Sequence, residues 1–283
     1  MQEESFFDQQ RSYLFAIAYR MLGSAADADD MVQEAWLRWQ RDDRSGVANP
    51  RGYLAGVVTR LCLDRLRELK RRREEYVGPW LPEPLLTQAP ADGGELAESL
   101  SLAFLTMLER LTPVERAVFL LRQVFGYEYA EIAAIVGKTE ANCRQQFSRA
   151  QKAIAEARPR FETSREAQQR MLQGFLEAVG SGDLSRIESI LREDVEFISD
   201  GGGKVIAARR VLHGRSEVAK FLHSLAQRSP EGVSFEFAPV NGQLGLLLKL
   251  QGKLETVFVI ESVGGTAQTI RAIRNPDKLA RLA

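Results

Sequence analysis

Cysteine and histidine are scarce in this 283-residue chain, with two of each. Cys62 and Cys143 stand far apart in helical contexts, and zinc needs clustered ligands. Neither a disulfide framework nor a metal site is expected, and no cofactor. No apolar run approaches the ~20 residues that span a bilayer; the most apolar stretch, residues 244–250, is broken by Lys249. The N-terminus, MQEESFFDQQR, lacks the basic and apolar regions of a signal peptide. These absences point to a cytoplasmic protein with no membrane association. Excess charge is missing too: Lys plus Arg total 38 and Asp plus Glu total 38. A uniformly basic nucleic-acid binder is thereby excluded. What remains is a globular composition, 45% hydrophobic and 27% charged, in a chain long enough for two or three domains.

The zero charge is a sum of unequal parts. Residues 1–75 are neutral, residues 76–110 carry −4, residues 111–160 carry +3 and residues 161–283 carry +1. Two windows stand out: residues 60–73 at +5 and residues 138–160 at +4. Two basic patches in a neutral chain are what two separate phosphate contacts require, although a basic run is as often only a solvated helix face.

Residues 5–73 read as helices. Leu14, Ile17, Ala18 and Met21 recur at helical spacing, Gly23-Ser24 breaks the pattern, and Asp27 is placed to cap the next helix. Residues 76–97 hold four prolines and three glycines, the composition of a linker. Its Trp80, Leu81, Leu85 and Leu86 are odd for a spacer and predict that it docks onto something. Residues 98–158 are helical again: Thr112-Pro113 opens one helix, residues 129–136 form a short one, Gly137 turns the chain and Thr139 opens another. That is the layout of a helix-turn-helix. In its second helix Cys143, Phe147, Ala150 and Ile154 form an apolar face. Lys138, Asn142, Gln145 and Arg149 lie on a different one, with Arg144, Ser148 and Lys152 beside them; such side chains pair with base edges and phosphates.

From residue 164 the pattern changes class. Two helices come first, then strands at 195–199 and 205–212, a helix capped by Ser216, and alternating strand segments to residue 273. Helices followed by a mainly antiparallel sheet predict an α+β domain. Asp200-Gly-Gly-Gly-Lys204 reads as a flexible hairpin turn, with an anion-binding nest as the alternative.

Three segments carry a resemblance. DADDMVQEAWLRW (27–39), NPRGYLAGVVTRLCLDRLR (49–67) and LTPVERAVFLLRQVFGYEYAEIAAIVGKTEANCRQQFSRAQK (111–152) resemble a bacterial sigma factor of the extracytoplasmic-function class. VLHGRSEVAKFL (211–222) is similar to the SnoaL-like, ketosteroid-isomerase-like cone fold. WLPEP (80–84), DGGGK (200–204) and NPDKL (275–279) are similar to the motifs of one group of these sigma factors that carries such a domain at its C-terminus. The resemblance implies two all-α sigma domains followed by an α+β cone fold. Sigma domain 2 takes residues 1–75, the linker 76–97, sigma domain 4 residues 98–160 and the regulatory domain 161–283.

The same resemblance implies contact of Asp27, Asp30, Gln33, Glu34 and Leu37 with the clamp of RNA polymerase core. It implies minus-10 contacts by Arg51, Tyr53, Arg60, Asp64, Arg65 and Arg67. Minus-35 contacts fall to Lys138, Thr139, Asn142, Arg144, Gln145, Ser148, Arg149 and Lys152. Regulatory contacts fall to Trp80, Leu81, Pro82, Glu83, Pro84, Asp200, Gly201, Gly202, Gly203, Lys204, Asn275, Pro276, Asp277, Lys278 and Leu279. The implied activity is promoter-specific transcription initiation, non-enzymatic, by a protein that is a monomer when free. The alternatives are a helix-turn-helix repressor, or a small-ligand sensor or enzyme in the pocket of the cone, with Asp200 and His213 as proton-transfer candidates.

Overall fold

A computed structural model describes residues 2–41, 47–87, 98–157, 164–228 and 230–282. The chain divides into two bodies: residues 1–74 with 103–158, and residues 75–102 with 159–283. Residues 88–97 of the linker and the side chains of residues 70–74 lie outside what is described.

The first body is helical: α1 Gln2–Leu22, α2 Ala25–Arg41, α3 Pro50–Glu74, α4 Leu102–Leu108 (whose first residue belongs to the second body), α5 Pro113–Phe119 continued by a π turn at Leu120–Val124, α6 Tyr129–Val136 and α7 Glu140–Ala157. The periodic residues are its core. Leu14, Ile17 and Met21 of α1, Val32 and Trp39 of α2, and Leu54, Val58 and Leu61 of α3 are buried, each side chain contributing about 1.5–3 kcal/mol. The start of α2 corrects one expectation. Gly23 turns the chain at φ +67°, and Ser24, not Asp27, accepts the capping bond, from the Asp27 amide at 3.2 Å. Thr112 and Glu115 form a reciprocal capping box at the head of α5. Gly137, at φ +66°, ends α6, and the Lys138 amide bonds back to the Ala133 carbonyl at 3.1 Å.

The second body contains α8 Arg165–Gly180, α9 Leu184–Ser189, β1 Leu191–Asp200, β2 Leu212–His213, α10 Arg215–Gln227, β3 Val233–Val240, β4 Gln243–Leu250, β5 Lys253–Val263, β6 Thr266–Ile273 and α11 Pro276–Leu279. The strands form one sheet in the order β2-β1-β6-β5-β4-β3, with β1 and β6 parallel and the other pairs antiparallel. This is the α+β arrangement expected of a SnoaL-like fold. Two local expectations change. The strand expected at 205–212 shrinks to β2, because Gly202 and Gly203 turn at φ +61° and +70° and the Lys204 amide closes back on the Gly201 carbonyl at 3.0 Å. Gly214, at φ +84°, stands at the head of α10 without a side-chain cap, so Ser216 lies inside the first turn.

Alternation along the strands separates two apolar faces. Phe197, Leu246, Ile270 and Ala272 pack with Phe175 of α8, Ile187 of α9 and Leu222 of α10. On the opposite face Val240, Leu247, Val257 and Ile273 pack with Leu81, Leu102 and Leu279. Helices α8, α9 and α10 therefore cover one side of the sheet, and Leu81 of the linker, Leu102, and Leu279 of α11 cover part of the other.

Candidate functional site

The linker is not a free tether. Residues 76–87 run against the sheet, with Leu81, Pro82, Glu83 and Pro84 buried. Proline suits this path, because an extended segment lacking amide donors leaves fewer polar groups to satisfy on an apolar surface. The segment also closes the edge of β3. Leu86 bridges Val240, and the Thr87 amide bonds the Pro239 carbonyl at 3.0 Å. Asn241, 1% exposed, accepts from the Leu85 amide at 2.8 Å and donates to the Leu100 carbonyl at 2.9 Å.

Asp200, at the end of β1, is fully buried. A carboxylate has about four acceptor sites, and four donors converge here. Oδ1 accepts from the Tyr76 hydroxyl at 2.6 Å and the Gly202 amide at 3.1 Å. Oδ2 accepts from the Leu81 amide at 2.8 Å and Lys278 Nζ at 2.6 Å. Lys278 also donates to the Leu81 carbonyl and lies 4.3 Å from the Trp80 ring centre, a cation–π distance. Asn275 caps α11 through the Asp277 amide and donates to the Tyr76 hydroxyl at 3.0 Å. Gly202 has no room for a side chain, since a Cβ there would stand 2.3 Å from Asn275 Nδ2. On the rim Lys204 holds both oxygens of Asp277, at 2.8 and 2.6 Å; Pro276 is exposed and Leu279 buried. Burial, and then the neighbouring Asp200, push the Tyr76 hydroxyl pKa up. The WLPEP, DGGGK and NPDKL segments thus meet around one carboxylate, in what we term the clasp. Asp200 is thereby accounted for, and neither it nor His213 lines the cavity on the helical face. His213 is exposed, 3.3 Å from Glu196. The two proton-transfer candidates thus stand apart, Asp200 closed inside the clasp and His213 on a separate cleft at the head of α10.

In the first body, α3 and α6 face each other across a cavity of about 270 Å³ lined by Tyr53, Gly56, Arg60, Tyr127 and Ile135 among others. Arg51 lies 3.9 Å from the ring centre of Tyr13, whose hydroxyl bonds that of Tyr127 at 2.8 Å. Arg116, 3% exposed, reaches the Met21 carbonyl at the end of α1 and Glu109, both at 2.8 Å; burial lowers its pKa to about 10. Asp27 and Arg65, expected to face different partners, are joined at 2.7 Å. Asp64 pairs with Arg67 at 2.5 Å and Glu34 with Arg38 at 3.0 Å. Asp30 and Gln33 are exposed and Leu37 partly buried.

Helix α7 has the division a recognition helix needs. Cys143 and Ala150 are fully buried and Ile154 is 7% exposed, while Phe147 stacks on Phe119 with ring centres 5.9 Å apart. Lys138, Arg144, Gln145, Ser148, Arg149 and Lys152 are exposed. Thr139 is also exposed but caps the helix, accepting from the Asn142 amide at 3.2 Å. Arg144 is held by Glu140 at 2.9 Å.

Comparison with known proteins bears on both bodies. The Sigma-70 region 2 family matches residues 6–72 and the Sigma-70, region 4 family matches residues 101–154. The ECF RNA polymerase sigma factor SigJ of Mycobacterium tuberculosis is 40% identical over 251 residues, spanning 86% of this chain and 80% of SigJ. The chain belongs to the ECF sigma factors. A second relative, the probable ECF sigma factor SigI of the same species, is 32% identical over 275 residues, covering 95% of this chain and 92% of its own. The crystal structure of SigJ matches with a TM-score of 0.78 at 36% identity, covering 98% of each chain, so the likeness extends through the second body. As an ECF sigma factor this protein binds RNA polymerase core and promoter DNA and acts in transcription initiation, without catalysis of its own. Every residue expected on polymerase or DNA falls inside the two matched regions, and every clasp residue falls outside them. Among the described residues no helix of this ECF sigma factor is long and apolar enough to cross a membrane. Sequence reasoning missed Tyr76, Tyr13, Tyr127, Arg116 and Asn241. Only Tyr76 left a signal, an aromatic beside the proline-rich segment; the others act through partners remote in sequence.

Proposed function

We propose a division of labour among four segments. Residues 1–75 act as sigma domain 2: Asp27, Asp30, Gln33, Glu34 and Leu37 dock on the polymerase clamp, where an acidic face steers onto a basic one. Arg51, Tyr53, Arg60, Asp64, Arg65 and Arg67 of α3 engage the minus-10 element. Residues 98–160 act as sigma domain 4, with α7 reading the minus-35 element through Asn142, Gln145 and Arg149 and holding phosphates through Lys138 and Lys152. Residues 161–283, with the linker 76–97, form a built-in regulator. The protein works in the cytoplasm and is a monomer when free. In the free chain, the cavity shared by Tyr53, Arg60 and Tyr127 supports a reading in which the minus-10 surface is partly occupied from within until polymerase engages.

The observation that carries the regulatory part is the clasp on Asp200, whose four donors come from the linker, the turn after β1 and α11. A buried carboxylate with every acceptor site filled holds one arrangement and is costly to open. Docked and undocked linkers therefore differ by enough free energy to serve as two states. In transcription with core polymerase, Trp80→Ala and Lys278→Gln in the full chain should change promoter output while circular dichroism stays unchanged. Wild-type output from both variants would overturn the regulatory role. A second reading, that the helical face of the regulator also takes a small ligand, is favoured by a cavity of about 360 Å³ there.

A further inference from the structure

The cavity on the helical face of the sheet is not used by the linker, which lies on the other face. Phe197, Phe221, Leu248 and Phe258 line it, together with Arg228 and Arg274, and its volume lies within the range of small-molecule sites. The lining holds these two guanidiniums and a single carboxylate, Glu255, which also lies 4.0 Å from Lys253 Nζ. The lining therefore holds more positive than negative charge. Two further residues of the lining, Ile206 at 89% and Leu225 at 41%, are large apolar side chains left exposed to water. An apolar chamber, an apolar rim and a surplus guanidinium together describe the complement of one kind of molecule.

Resting on the reading that this body takes a small ligand, we propose that the cavity binds an amphipathic monoanion. Its apolar body lies among the phenylalanines, and its carboxylate-type head group is held by Arg274 and Arg228. Planar guanidinium forks match a carboxylate better than an ammonium does. Arg274 also gives the site an outlet. Its side chain donates to the Ile206 carbonyl, in the loop that follows DGGGK, and its amide donates to the Asp200 carbonyl at 2.7 Å. A head group that takes the Arg274 side chain releases Ile206 beside the clasp. Val77 and Gly78 of the linker lie against this same loop, at Gly203 and Ala208. Burial, opposed by Glu255, lowers the Arg274 pKa, as expected of a guanidinium short of a full anionic partner.

The test uses the full-length chain, with 8-anilinonaphthalene-1-sulfonate as fluorescent probe and decanoate, decanol and decylammonium as competitors. Decanoate should displace the probe at a concentration at least tenfold lower than decanol, and decylammonium should be the weakest. In Arg274→Gln and in Arg228→Gln the preference for decanoate over decanol should fall below threefold, with decanol itself unchanged. Arg228 is exposed, so its variant stays informative if Arg274→Gln folds poorly. Equal displacement by all three compounds, no displacement by decanoate, or an undiminished preference in the Arg228 variant would each overturn the proposal. Polymerase-dependent transcription by the same preparations, measured without ligand, tests the initiation reading separately.

Discussion

Helix α7, proposed above to read DNA, and the clasp around Asp200 use charge in opposite ways. On α7 the cations stand in water, on a helix whose other face is anchored by Cys143, Ala150 and Ile154. In the clasp a carboxylate and an ammonium are removed from water and every acceptor site is filled from within. Apart from Arg144, which pairs with Glu140, the first arrangement presents its cations to solvent and to a partner. The second completes its interactions itself, so opening it costs free energy. The surface proposed to read DNA and the joint that holds the linker thus draw on the same side-chain chemistry and differ in who supplies the counter-charge.

This contrast can be broken from either side. The largest effect is expected for Asp200→Ala, which takes the carboxylate from Lys278, whose side chain is 11% exposed. Removing one partner of a buried pair costs about 3–5 kcal/mol, so urea unfolding should show a loss of that order. A loss below about 1 kcal/mol, typical of exposed pairs, would place the clasp among surface salt bridges. Arg149→Ala should do the reverse, lowering promoter affinity of the holoenzyme by about 1–3 kcal/mol. Its stability should stay within about 0.5 kcal/mol of wild type, and equal affinity for promoter and scrambled DNA in the wild type would remove α7 from base reading. Tyr127→Phe removes the bond to Tyr13 and should weaken the contact between the two helical regions by about 1 kcal/mol. Stronger binding of promoter DNA by the free variant is the expected readout.

The smallest effect concerns pH. The Tyr76 hydroxyl pKa is raised in the folded protein, by burial first and Asp200 second, so folding favours the protonated form. That contribution is complete below the ordinary tyrosine value of about 10 and is lost as pH rises above it. Melting temperature should therefore fall more steeply between pH 9 and 11 (about one unit either side of that value) in the wild type than in Tyr76→Phe. Parallel curves would remove Tyr76 from the linkage.

The helical regions were legible because their information is local. Helical spacing marked Leu14, Ile17 and Met21 as core, and Gly137 with Thr139 marked the turn of the helix-turn-helix. The docking of the linker was legible as an anomaly: Trp80 and Leu81 have no place in a solvated spacer. The chemistry of that docking was not legible, because Asp200 meets Tyr76, Leu81 and Lys278 only after the sheet has formed, and no periodicity records such pairings. The start of the strand expected at 205–212 is lost for a similar reason. Its branched residues favour extended backbone, but the glycine turn before them takes that stretch out of the ladder and leaves only Leu212 and His213 paired with β1. Ser24 displaces Asp27 as cap because α2 starts at Ala25, directly after the Gly23 turn and three residues earlier than a cap at Asp27 implies.

The bridge between Leu86 and Val240 has a consequence for the undocked protein. With the linker in place, part of the outer edge of β3 is capped by Leu86 and Thr87. Without it, the Pro239 carbonyl and the Asn241 amide at the end of that strand lose their partners, on the strand that also carries Phe235 and Phe237, which are already 48% and 39% exposed. A bare, apolar strand edge recruits other strands, including those of identical chains. Undocking therefore converts a quiet surface into a self-adhesive one. On the regulatory reading proposed above, a sigma factor activated by undocking has to hand that edge to another partner or draw it back, which limits the active state in time.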